Sequence, residues 1–95
     1  MSTRDEYVEK IKAKLDQWNA EIDKMQAKAR EADADEKIER QKQVDEMRRQ
    51  RDDAEVRLKE LQEASDDAWT DMKSGFDRAW TSLSTAFENA MSRFK

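Results

Sequence analysis

The chain has 95 residues, 44% of them charged, a net charge of −4, one Gly and no Cys, His or Pro. Without Cys or His it has no disulfide, no thiolate nucleophile, no imidazole general base and none of the commonest transition-metal ligands, which excludes most hydrolase and metal constellations. The length allows one domain, and hydrophobic residues at 36% fit elongated or oligomeric helices better than a compact globule.

A mean hydropathy of −1.25 points towards disorder, but 19 basic against 23 acidic residues leave too small a net charge for it. Turn-forming residues are nearly absent, which argues against sheets and long loops. The fold class expected is therefore all-α: an antiparallel coiled-coil hairpin continuing into, or packed with, a third amphipathic helix, elongated and oligomeric.

The first segment, residues 1–33, carries apolar residues at Val8, Ile11, Leu15, Trp18, Ile22, Met25, Ala29 and Ala32. Their alternating steps of three and four make a heptad seam. Thr3 and Glu6 have capping-box spacing, so a helix is expected from near Arg4. Continuing the seam would place Glu36 and Glu39 inside, so Asp33 to Glu36 is the natural place for a reversal, with Asp33 as N-cap and Glu36 at the capping-box position. Neither Gly nor Pro enforces the turn, and one uninterrupted helix with a phase shift is the alternative.

The second segment, residues 34–65, has a thinner stripe of Ile38, Gln41, Val44, Met47, Arg51, Ala54, Leu58 and Leu61. The polar Gln41 and Arg51 are read as lying at its edge. Acid-first pairs four residues apart (Glu36 with Arg40, Asp45 with Arg49, Asp53 with Arg57, Glu55 with Lys59) each add about 0.2–0.5 kcal/mol to an exposed helix.

The composition changes at Ser65, an expected N-cap with Asp66 and Asp67 in the first turn. Residues 66–95 hold five of the seven aromatic side chains and only nine of the charged ones, whereas residues 1–65 hold 33. Ala68-Trp69-Thr70-Asp71-Met72-Lys73-Ser74-Gly75-Phe76-Asp77-Arg78 aligns with Ala79-Trp80-Thr81-Ser82-Leu83-Ser84-Thr85-Ala86-Phe87-Glu88-Asn89, and Ala90-Met91-Ser92-Arg93-Phe94 opens a third copy. An eleven-residue repeat makes three helical turns. On such a helix Trp69, Met72, Phe76, Trp80, Leu83, Phe87, Met91 and Phe94 fall within about 100° of arc, flanked by Ala68, Gly75, Ala79, Ala86 and Ala90, small residues that let another helix come close. Whether residues 34–95 form one helix or two is left open by the sequence.

This repeat resembles the amphipathic repeats of exchangeable apolipoproteins, synucleins and lipid-droplet coat proteins, and its Ser/Thr-rich polar face is similar to that of lipid-packing sensors. The resemblance implies a lipid surface as partner. Four bases against five acids in residues 66–95 depart from the polybasic pattern, so the aromatic face would have to enter packing defects. Taken with Trp18-Asn19-Ala20-Glu21-Ile22-Asp23-Lys24, the chain resembles small bacterial coiled-coil proteins without an assigned activity, which implies an interaction protein and brings no catalytic residues.

The function expected is that of a non-enzymatic structural or scaffold protein. Its partner is itself, as a homo-oligomer, with a membrane surface or another helical protein as the alternative. The oligomer or lipid interface is placed on the eight bulky residues of the third segment, and the coiled-coil seam on Val8, Ile11, Leu15, Trp18, Ile22 and Met25. No catalytic residue, cofactor, metal or small-molecule substrate is expected. The one basic cluster, Arg48, Arg49 and Arg51, is surrounded by acids, which speaks against nucleic acid. The charged N-terminus, Met1 to Glu6, lacks the apolar stretch of a signal peptide, so a cytoplasmic location, peripheral to a membrane at most, is expected.

Overall fold

The structure is a computed structural model and describes residues 3–93. It contains α1 (Thr3–Glu31), α2 (Ala34–Gln62) and α3 (Asp66–Arg93), and no strand among the described residues. The chain reverses twice, so α1 and α3 run parallel with α2 antiparallel to both, in a body of 52 × 21 × 17 Å. The all-α class, the elongated shape and the packed hairpin with a third helix are as the sequence pattern indicates.

Both reversals are built without glycine. Asp33 is extended (φ −62°, ψ 158°), and its side chain makes no cap hydrogen bond. Its carbonyl instead accepts the N–H groups of Glu36 (3.0 Å) and Lys37 (2.8 Å). The reversal thus forms at the expected place and the uninterrupted helix does not, but the side-chain cap expected of Asp33 is missing. At the second reversal Ser65 Oγ accepts the Ala68 N–H at 3.3 Å, and the acids Asp66 and Asp67 occupy the first turn of α3, where the helix dipole favours them. Residues 34–93 are therefore two helices.

The core forms two clusters along the long axis. One joins Val8, Ile11 and Leu15 to Ala54, Leu58 and Leu61 of α2 and Phe76 of α3. The other joins Ile22, Met25 and Ala29 to Val44, Met47, Phe87 and Ala90. Trp18 packs against both. At the same level α2 contributes Arg51, whose Nη1 donates to Asn19 Oδ1 at 3.0 Å, and nearer the first turn Gln26 and Gln41 bond each other reciprocally at 2.8 and 3.2 Å. The two polar residues of the α2 stripe thus lie at its edge and pair with α1.

Ile38 departs from expectation. It is 68% exposed, not part of the core. Successive three-residue steps each fall about 60° short of a full turn, so going back from Val44 through Gln41 to Ile38 rotates the side chain about 120° off the core line. Two ion pairs also differ: Asp45 takes Arg48 (3.7 Å) rather than Arg49, and Glu55 takes Arg51 (3.8 Å) rather than Lys59. The pairs Glu36–Arg40 (3.6 Å) and Asp53–Arg57 (3.0 Å) are present.

Candidate interaction surfaces

The three helices are not equivalently spaced. α2 packs closely against both neighbours, whereas no Cα atoms of α1 and α3 approach within 8 Å among the described residues. Side chains bridge that gap. Trp18 lies face to face with Trp80 (4.8 Å between centroids) and Phe87 (4.3 Å), and Tyr7 meets Trp69 and Phe76 edge-on at 6.1 and 6.0 Å. Cations of one helix cover rings of the other: Arg4 over Trp69 at 4.7 Å, Lys14 over Trp80 at 5.9 Å and Lys73 over Tyr7 at 4.5 Å.

Arg4 also closes the lower end of the bundle. Its guanidinium donates to the carbonyls of Gln62 (2.8 Å) and Ala64 (2.6 Å), satisfying groups that the end of α2 leaves without helical partners. The Tyr7 hydroxyl donates to Asp77 Oδ1, and Lys73 pairs with Asp77 Oδ2 at 3.2 Å. Burial, then the hydrogen bond and charge of Asp77, raise the Tyr7 pKa well above its ordinary value, so the phenol stays protonated and donating.

The eight bulky residues of the third segment are thus placed unequally. Phe76 and Phe87 are buried, and Trp69, Trp80, Leu83 and Met91 pack half-buried against the two clusters. Met72 is 37% exposed and sits beside Arg57 and Glu60 of α2. Phe94 lies outside the described residues. Of the first-helix seam, Val8, Ile11, Leu15, Ile22 and Met25 are buried and Trp18 is half-buried. Sequence reasoning missed Arg4, Tyr7, Lys14 and Asp77. A signal for Tyr7 existed: Tyr7 and Trp18 are eleven residues apart, as are Trp69 and Trp80, so two parallel helices carry rings at the same spacing.

A second surface is the outer face of α2. Among the described residues the exposed large hydrophobic side chains are, with Met72, Ile38 at 68% and Val56 at 57%. They are eighteen residues apart, five full turns, so they stand on one line of the helix. That line is opposite Val44, Met47, Ala54, Leu58 and Leu61, the residues α2 gives to the core. Between them lie Lys42, Asp45, Arg49 and Asp52, all exposed.

No helix among the described residues is long and apolar enough to cross a membrane. Compared with known proteins, the chain matches no family model, no curated relative and no solved structure.

Proposed function

We propose that the chain is a non-enzymatic structural protein of the cytoplasm that works by associating with copies of itself. The observation that carries this reading is the line of Ile38 and Val56, exposed apolar side chains on the face of α2 turned away from the core. The surrounding charge keeps such a surface soluble, while the two aliphatic side chains gain from being covered. The aromatic face of α3 supports self-association less directly, because its larger side chains are engaged with α1 and α2. Light scattering across a concentration series checks the reading: the mass should rise above that of one chain while circular dichroism stays strongly helical. A single-chain mass at every concentration would overturn it.

Binding to a lipid surface is a second reading. It is favoured by the α1–α3 seam, where the helices are joined by side chains and Trp18, Trp69 and Trp80 stay half-buried. On this reading α3 swings out on residues 63–65 and lays its aromatic stripe on the bilayer. Tryptophan emission with and without small liposomes tests it. A blue shift with lipid supports opening, and unchanged emission at saturating lipid removes this reading.

A further inference from the structure

The outer line of α2 extends beyond Ile38 and Val56. Asp35, Ile38, Lys42, Asp45, Arg49, Asp52, Val56 and Lys59 follow one another in steps of three and four, and all eight are exposed. Such steps keep side chains on one stripe, here about 36 Å long. The order of chemistry along it is acid, aliphatic, base, acid, base, acid, aliphatic, base. Read backwards, every acid falls where a base stood and every aliphatic where an aliphatic stood.

We propose that this stripe is an isologous docking surface for the α2 helix of a second copy, antiparallel, with the two-fold axis level with Met47. The inference rests on the self-association reading and assigns its partner face and register. Across such an axis Asp35 of one copy meets Lys59 of the other, Ile38 meets Val56, Lys42 meets Asp52, and Asp45 meets Arg49, each pair occurring twice by symmetry. No like charges meet along the stripe.

The alternatives are worse by the same count. A parallel, in-register pair sets Lys42, Asp45, Arg49 and Asp52 each against its own equivalent. Sliding the antiparallel pair by one heptad puts Asp35 opposite Asp52 in one direction and Lys42 opposite Lys59 in the other. Juxtaposed like charges select against these registers.

The same features set the strength. Exposed ion pairs contribute little and are screened by salt. Asp45 and Asp52 also have partners within the chain, Arg48 at 3.7 Å and Arg51 at 2.9 Å, which they must share or exchange. On the flanks of the stripe Glu46 and Arg48 come near their own equivalents across the axis. A single helix pair of this length belongs with weak, transient contacts rather than obligate interfaces, and the dimer weakens with ionic strength.

The test is sedimentation equilibrium of the whole chain at low ionic strength, with dichroism on every variant. Arg49→Glu sets acid against Asp45 twice per dimer and should raise the dissociation constant at least about tenfold, and the exchange Asp45→Arg with Arg49→Asp should bring it back to within about threefold of the original. All these positions are exposed, so the helices should stay intact. Because the chain has no Cys, register is read by mixing Ile38→Cys and Val56→Cys chains under mild oxidation. Mixed 38–56 dimers should dominate over 38–38 and 56–56 dimers. A dimer that survives Arg49→Glu unchanged, or that cross-links chiefly 38 to 38, overturns this register while leaving self-association standing. A single-chain mass at all concentrations overturns both.

Discussion

Gly75 stands exposed in the middle of α3, and a Cβ built there meets no atom within 4 Å. Its place on the small flank of the repeat suggests a close approach by another helix, yet at this level α2 leaves the space open. Gly75→Ala should therefore raise stability by about 0.5–1 kcal/mol through helix propensity and a less free unfolded chain, measured by urea unfolding; no gain would show a constraint that the packing does not reveal. Tyr7 makes the opposite case, a residue whose role sequence does not announce. The fold holds its phenol protonated through burial and the bond to Asp77, whereas the unfolded chain ionises it near pH 10. Its contribution is fully present below about pH 10 and is lost as pH rises beyond that. Tyr7→Phe should be less stable than the parent by about 1 kcal/mol at neutral pH, with the gap closing in alkali. Melting curves of both proteins on either side of pH 10 check this, and a constant gap would refute it.

At the scale of helices, the three segments draw on different sources of order. α1 has its seam, and α2 combines a thin stripe with local pairs such as Asp53–Arg57 and Glu36–Arg40. α3 sets the small Ala90 against Val44 and Met47 of α2 and reaches α1 through large rings such as Trp80 and Phe87 on Trp18, in keeping with the close approach of α2 and α3 and the wider separation of α1 and α3. Ala90, fully buried beside Val44, Met47 and Phe87, is where that approach is tight. Ala90→Leu should cost about 1–3 kcal/mol by forcing α2 and α3 apart, read from the denaturant midpoint. A neutral result would mean that the cluster around Val44 and Met47 has room which its burial does not suggest. The eleven-residue repeat was legible in the sequence and so was its apolar face. Which flank met which helix was not, because a repeat fixes angles around one axis and says nothing about neighbours.

Across the whole molecule, Trp18 belongs to both clusters and stacks on α3, so loss of one cluster exposes side chains of the other. A single cooperative transition follows, with tryptophan emission and helical dichroism falling together in denaturant. An early change in emission at constant helicity would instead show α3 leaving the hairpin first. The fold class was largely legible in the sequence, since the spacing identifies the helical segments and places the first reversal near Asp33, whereas that residues 34–93 divide into two helices was left to the structure. The placement of surfaces was less legible. The bulky face of α3 looks like an interface for another molecule until α1 and α2 are seen to engage most of it, leaving Met72 more open to water than the other described residues of that face.

Sequence by itself determined the helical class, because a chain with almost no turn formers and with apolar residues in steps of three and four has few other ways to bury them. It also marked the change of composition at Ser65, where charge gives way to aromatic repeat, but that the chain reverses there and the Ser65 hydroxyl caps a new helix was decided by the structure. Only the tertiary structure decided which faces are spent on the chain's own core and which remain. Ile38 left the core through an accumulated phase of two short steps, and Tyr7 joined the aromatic seam because α1 and α3 run parallel at matching spacing. The outer stripe of α2 could be recognised as a surface only once the core had claimed the other side of the helix, since burial is a property of the packed set of helices and not of any one period.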